Sequence, residues 1–82
     1  MKRYLLLQPL NPYSLRIKLS ELKASIRTSG CDYLLATDAK GHPVVYVIAN
    51  TPEKLSEFVT EYDIEGVVVE YTGVYDQVVT LE

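Results

Sequence analysis

The pattern of apolar and polar residues along the chain predicts four strands and two helices. Runs rich in aliphatic and aromatic residues, bounded by proline, glycine or polar residues as strands often are, occur at 3–8, 32–37, 43–49 and 66–71. In the third run, Val44 to Ile48 is apolar without a break, which indicates burial on both faces. Residues 74–79 predict either a fifth strand or a continuation of the fourth past a bulge at Gly73.

The segment after the first strand predicts a helix over residues 12–28. Asn11 is a favoured N-cap, and Pro12 is favoured at the first helical position. Gly30 supplies a left-handed stop. Apolar residues recur at helical spacing on one face, at Leu15, Leu19, Leu22 and Ile26.

A second interpretation of this segment remains open. Leu15, Ile17 and Leu19 also alternate with charged residues, as in a half-buried strand. Ser20 would then cap a shorter helix that ends at Gly30. We favour the long helix because its four-residue apolar stripe is the longer match, although it leaves Ile17 on the solvent side.

A second helix is predicted over residues 52–62, where Thr51-Pro52 repeats the cap-then-proline signal and Leu55, Phe58, Val59 and Tyr62 form the apolar stripe. The resulting order is β-α-β-β-α-β, with an extra C-terminal edge strand as an option. This order predicts an α+β domain of ferredoxin-like type, a split βαβ sandwich whose antiparallel sheet carries both helices on one face. Strands one and three would lie in its centre, and they are the most apolar strands.

Composition places the chain among small globular proteins. It has 82 residues, of which 48% are hydrophobic and 23% charged, and its net charge is −3. We assign residues 1–80 to a single domain. Leu81-Glu82 resembles the pair of residues that a restriction site leaves before a purification tag, so we expect the native chain to end near Thr80.

Several classes of protein are excluded by the residue counts. No apolar run approaches the roughly 18–20 residues that cross a bilayer. With one cysteine and one histidine, neither an intramolecular disulfide nor a zinc site of four such ligands can form. We therefore expect a small acidic cytoplasmic protein with no membrane association, metal or cofactor.

The sheet face away from the helices is the strongest candidate binding surface. Side chains alternate between the two faces of a strand, and we assign to the helix side Leu5, Leu7, Val45 and Val47. The open face would then present Tyr4, Leu6, Val44, Tyr46 and Ile48, joined by Tyr33 or Leu35 of the second strand. An exposed apolar patch of this kind usually marks an interaction site.

Two functions fit such a patch. The first is a protein interface, most simply a homodimer, because tyrosine is enriched at interfaces. The second is base stacking, as in RNA-recognition domains with the same order of elements. Residues 40–47 share a basic residue, a glycine and an aliphatic residue with the RNA-recognition strand motif but lack its stacking aromatics. A net negative chain also attracts phosphate weakly, so we favour the protein interface over nucleic acid.

Charge is distributed unevenly along the chain. Residues 1–41 carry seven basic and three acidic groups, whereas residues 42–82 carry one basic and eight acidic groups. The candidate charged surface comprises Arg16, Lys18, Lys23 and Arg27 from the first helix and Glu53, Glu57 and Glu61 from the second. We expect these groups to pair between neighbouring helices; the alternative is a bipolar surface that steers a charged partner.

Candidate chemistry is sparse, and we predict no catalytic residue. His42 is expected to be a solvated turn residue, and a Cys31–His42 dyad is the weakest alternative. Glu57 and Glu61 share a helix face without a third ligand, so no metal site is predicted. The Asn11-Pro12 loop lies where small-molecule sensor domains of this fold often place ligand-binding residues, although it lacks the glycine that those loops use.

One family resemblance is visible in the first half of the chain. Residues 20–26, 33–37 and 41–47 resemble the N-terminal half of Phd/YefM-type antitoxins, a resemblance that implies a dimer bound to operator DNA. The spacer between helix and hairpin is shorter than in that family. After residue 66 the pattern predicts a strand where the family has a toxin-binding helix.

The sequence therefore favours a non-enzymatic binding or assembly module that acts through its open sheet face as a homodimer. A small-ligand sensor is the alternative, and an antitoxin-like DNA-binding protein is a weaker one. An enzyme is least supported. The partner is expected to be a second copy or another protein.

Overall fold

The computed structural model describes residues 3–71, which form a four-stranded antiparallel sheet and three helices. The elements are β1 (Arg3–Leu6), α1 (Pro12–Leu15), α2 (Leu19–Thr28), β2 (Asp32–Thr37), β3 (Pro43–Ala49), α3 (Pro52–Tyr62) and β4 (Val68–Tyr71). The α+β class and the antiparallel sheet are confirmed, as are the predicted bounds of β2, β3 and α3. The predicted fifth strand at 74–79 and the pair at 81–82 lie outside the described residues.

The sheet has the strand order β2-β3-β1-β4, so β1 and β3 occupy its centre as predicted. Leu5 of β1 lies opposite Ile48 of β3 and Val69 of β4. In that register Gln8 would face Val45. The chain bends at Leu7 and Gln8, however, and Leu10 pairs with Val45 instead. β1 is therefore shorter than the predicted strand at 3–8, and β4 is shorter than the one at 66–71.

The predicted long helix at 12–28 is wrong, because the chain leaves the helical conformation at Arg16. This residue adopts a left-handed backbone with φ of 59°. Its N–H bonds to Tyr13 O at 3.3 Å, and the N–H of Ile17 bonds to Pro12 O at 3.1 Å. These bonds close a Schellman motif and turn Ile17 onto the core, whereas a continuous helix would have left it in solvent. The strand of the alternative interpretation is also wrong, since residues 12–15 form α1. Its separate shorter helix before Gly30 corresponds to α2, which begins at Leu19 and ends at Thr28.

All three helices end in the same way. A left-handed residue follows each of them, namely Arg16, Gly30 and Asp63. The next residue donates its N–H to the carbonyl five residues back, at 3.1–3.3 Å, and packs against the core; these residues are Ile17, Cys31 and Ile64. Glycine adopts this conformation without steric cost, whereas the Cβ of an L residue clashes there.

One core lies between the sheet and the helices, and we call this the helix side. It consists of Leu6, Leu10, Leu22, Ile26, Val45, Val47, Ala49, Leu55 and Phe58, each at most 2% exposed. Because α2 and α3 both contribute to it, both helices pack on the same side of the sheet. Each large aliphatic or aromatic side chain buried here contributes roughly 1.5–3 kcal/mol.

The strained turn at Arg16 yields a first prediction. We expect Arg16→Gly to raise the free energy of unfolding by about 0.5–1 kcal/mol, because the relief of left-handed strain exceeds the entropy that glycine adds to the unfolded chain. Urea denaturation followed by circular dichroism measures it.

Glu57→Gly is the matched control, since Glu57 is exposed and lies within α3. There, glycine should lower the free energy of unfolding by about 1 kcal/mol. Equal destabilisation by both variants would contradict the account of the turn.

Candidate binding surfaces

The sheet face opposite the helices, called here the second face, is almost entirely apolar. Strand pairing places on it Leu5, Leu7, Leu34, Ala36, Val44, Tyr46, Ile48, Val67, Val69 and Tyr71. Its buried residues form a cluster, and several partly buried residues pack against that cluster. All of these residues belong to the strands, apart from Leu7, and no residue of α2 or α3 is among them. The second face is thus a separate apolar layer rather than part of the core beneath the helices.

The predicted face assignment is right for β3 and wrong for β1. Val44, Tyr46 and Ile48 lie on the second face. Tyr4 and Leu6 instead belong to the helix side, because Tyr4 pairs with Ala49 and places its side chain beside the helices. The run Tyr4-Leu5-Leu6-Leu7 is apolar at every position, so its composition could not reveal which residues point to which side.

Exposure on the second face is highest at β4 and at the residue that precedes it. Leu5, Val44, Tyr46 and Ile48 are at most 2% exposed, so the prediction that this face exposes the β3 residues is wrong. Val67 is 48% exposed and Val69 is 38% exposed. The most exposed apolar residues of this face are therefore Val69 of β4 and Val67, which lies just before β4, and we call this pair the β4 strip.

Tyr33 lies on the helix side, so its predicted place on the open face is also wrong. It pairs with Val47 of the helix-side core. Arg27 donates a hydrogen bond to its hydroxyl at 3.3 Å, and the charged groups of Arg27 and Lys23 lie 5.5 and 5.8 Å from the ring centroid. Such cation–π contacts contribute about 0.5–1 kcal/mol at exposed sites. The alternative residue Leu35 is also on the helix side, opposite Val45.

The predicted ion pairs between the two charged helices do not form. Among residues 3–71, the ion pairs closer than 4 Å are Arg3–Asp32 and His42–Asp38, and neither joins α2 to α3. Lys23 and Arg27 face Tyr33 instead. The remaining charged residues of the predicted surface are exposed, namely Arg16, Lys18, Glu53, Glu57 and Glu61. A bipolar surface that steers a partner stays a prediction.

A polar cluster joins the loop before α1 to the turn between β2 and β3. We call it the Asp38 cluster and define it as Asn11, Tyr13, Asp38 and His42. Asn11 caps α1, accepting hydrogen bonds from the N–H groups of Tyr13 at 2.9 Å and Ser14 at 3.2 Å. Its Nδ2 donates to Asp38 Oδ2 at 3.0 Å. The Asn11 side chain thus caps α1 and also links the preceding loop to a turn that lies 27 residues away in the sequence.

Asp38 organises the turn through both carboxylate oxygens. Its Oδ1 accepts the backbone N–H groups of Lys40 at 2.9 Å and His42 at 2.8 Å. Its Oδ2 lies 3.5 Å from His42 Nδ1. The hydrogen bond from the His42 N–H is the main cause that holds the pKa of Asp38 below its ordinary value, because it stabilises the charged form.

His42 is more constrained than the predicted solvated turn residue. Its ring stacks on Tyr13 with centroids 4.5 Å apart and planes 18° apart. Because Nδ1 faces Asp38, the Nε2 edge of the ring is turned away from the carboxylate. The sequence singled out Asn11 as a helix cap and residues 38–41 as a turn, but no local pattern links segments so far apart.

Two shallow cavities meet at Asn11, Ser14 and Asp38. One, of about 290 Å³, has a largely apolar lining that includes Pro9, Leu10, Leu15, Val44 and Ile64. The other, of about 340 Å³, is lined by Asn11, Tyr13, Ser14, Asp38, Ala39, Lys40 and His42. Both volumes lie near the lower end of the range for small-molecule sites.

The weakest predicted alternative, a Cys31–His42 dyad, does not form. These residues flank opposite ends of the β2–β3 hairpin, and β2 is six residues long. At about 3.4 Å per residue the two lie roughly 20 Å apart. Burial raises the pKa of Cys31, an effect that Lys54 opposes and Glu57 reinforces.

Other classes of site are not found in residues 3–71. No group of three or more His, Cys, Asp or Glu residues there could hold a metal ion. No helix in this part of the chain has the length and apolar character to cross a membrane.

Comparison of the chain with models of known families, with curated proteins and with solved structures found no match.

The lowered pKa of Asp38 predicts acid sensitivity. Its ionised form stabilises the folded state fully above the unfolded pKa of about 3.9, and this contribution is lost as the pH falls through the lower folded value. Asp38→Asn keeps an oxygen acceptor for the turn but cannot ionise. We expect this variant to flatten the acid limb of stability against pH, measured by urea denaturation. An unchanged acid limb would contradict this role of Asp38.

The raised pKa of Cys31 predicts that its thiol reacts slowly with alkylating agents. At neutral pH, alkylation by iodoacetamide should be slower than that of glutathione, because less thiolate is present. Lys54→Met should slow the reaction further, and Glu57→Gln should accelerate it. If Lys54→Met instead accelerates it, Lys54 does not stabilise the thiolate.

Proposed function

We propose that this protein is a non-enzymatic assembly module that forms a homodimer through the β4 strip of its second face. The observation that carries the proposal is the exposure of Val67 and Val69 beside an apolar sheet face. Exposed apolar surface that continues a buried cluster favours a protein interface. The four central residues of the face would support the interface from beneath rather than touch the partner.

A second copy suits the chemistry of the strip. In a two-fold dimer the same patch meets itself, so a patch without charge avoids like-charge repulsion. The charged residues of the second face, Arg3 and Asp32, pair with each other at 3.3 Å at one end of the sheet. Self-association is also a common way for a domain of this size to gain stability.

We assign the fold to the ferredoxin-like type, with α1 as a short addition before α2. The strand order β2-β3-β1-β4, the antiparallel pairing and the two main helices on one side support this assignment. We also place the protein in the cytoplasm, where a reducing environment suits its single thiol. A second candidate function, binding of a small ligand, is favoured by the two cavities at the Asp38 cluster.

The proposal predicts that Val69→Glu converts the dimer to a monomer. A carboxylate buried without a partner costs several kcal/mol, so the dissociation constant of the dimer should rise about a hundredfold or more. Sedimentation equilibrium over a range of concentrations measures it, with circular dichroism to show that the variant is folded.

Leu35→Glu is the matched control. Leu35 has a similar exposure of 40% but lies on the helix side of β2, which is the edge strand opposite to β4. This variant should dimerise like the unaltered protein. A monomer at the highest soluble concentration of the unaltered chain, or equal loss of dimer in both variants, would refute the proposal.

A further inference from the structure

The Asp38 cluster holds an exposed aromatic ring in a fixed position. Tyr13 is 72% exposed, yet its backbone is tied to Asn11 and its ring stacks on His42. Asp38 contacts both Asn11 and His42, which closes a ring of four residues from two segments. An aromatic surface held in this way can bind a second ring with little further loss of side-chain entropy.

Groups that can form hydrogen bonds surround this aromatic surface in the cavity of about 340 Å³. Asn11 Nδ2 donates to Asp38, and its second hydrogen has no acceptor among the described residues. Within residues 3–71 the Ser14 hydroxyl likewise forms no hydrogen bond, although its backbone N–H does. The cavity therefore has one aromatic wall and polar groups with unused hydrogen-bonding capacity.

Of the two charged side chains that line this cavity, Asp38 and Lys40, the lysine is the one available to a ligand. Asp38 already accepts hydrogen bonds from two backbone N–H groups and Asn11 and lies beside His42 Nδ1, so its carboxylate has little capacity left for a ligand. The ammonium group of Lys40 forms no ion pair with any other described residue. A ligand would therefore meet a carboxylate whose oxygens already accept hydrogen bonds, and an ammonium group that pairs with no described residue.

We propose that the cavity at Tyr13, Ser14, Lys40 and His42 binds a small molecule in which a planar aromatic ring carries an anionic group. The ring stacks on the Tyr13–His42 pair, and the anionic group lies at the ammonium of Lys40. Ser14 and Asn11 form hydrogen bonds to the polar edge of the ligand. The adjoining cavity of about 290 Å³ admits an apolar substituent against Leu10 and Leu15.

Three probes test the contributions of the aromatic ring and of the anionic group separately. Adenosine 5′-monophosphate carries both ring and anion, adenosine carries the ring alone, and inorganic phosphate carries the anion alone. Titration of the isotope-labelled full chain, followed by ¹H–¹⁵N correlation spectra, should shift the amides of Asn11, Tyr13, Ser14 and residues 38–42. The monophosphate should bind most tightly and phosphate most weakly.

Variants test the assigned roles. Tyr13→Ala should weaken binding of the monophosphate about tenfold or more, as loss of a stacking ring does, and Tyr13→Phe should preserve it. Lys40→Gln should reduce the affinity for the monophosphate to that for adenosine. Lys18→Gln removes an exposed lysine that does not line this cavity and should change nothing. The spectra also report whether each variant is folded.

Several outcomes would overturn the inference. These are no shift at the named amides with any probe, equal affinity for the monophosphate and adenosine, or full binding by Tyr13→Ala. Tighter binding of single-stranded oligo(dA) than of the monophosphate would assign the site to nucleic acid and reject a small molecule. The site does not depend on the dimer, so these results and those for Val69→Glu are independent.

Discussion

β3 is buried on both faces of the sheet, and the other elements are arranged around it. Val45 and Val47 pack beneath the helices, while Val44, Tyr46 and Ile48 form the centre of the second face. A strand buried on both faces needs a neighbour along each edge and an apolar layer on each side. β1 and β2 supply the edges, and α2 and α3 supply one layer. On the other face the side chains of the strands pack against one another, and the β4 strip beside them is the surface to which we assign assembly.

The elements that could be predicted from sequence are those that local chemistry determines. β2, β3 and α3 have patterns with one strong interpretation, and their bounds agree with the structure. The long helix was wrong because an arginine took the left-handed position that sequence reasoning reserves for glycine. What favours that break is burial of Ile17, a tertiary gain that local propensity does not contain.

The candidate surfaces were harder to predict for a related reason. The face assignment of β1 depends on its register with β3, because an apolar run without alternation leaves both assignments equally good. The Asp38 cluster joins residues from two loops, and each residue alone looks like ordinary turn or cap chemistry. The pairing of Leu10 with Val45 brings those loops together, and the hydrogen bond from Asn11 to Asp38 joins them.

In the proposed dimer, Val67 and Val69 of each protomer lie at the interface. Isotope-filtered nuclear Overhauser spectroscopy on a mixture of labelled and unlabelled chains measures contacts between protomers directly. A dimer joined through the β4 strip should give intermolecular contacts from the methyl groups of Val67 and Val69. Intermolecular contacts confined to the outer surfaces of α2 and α3, or none at all, would contradict it.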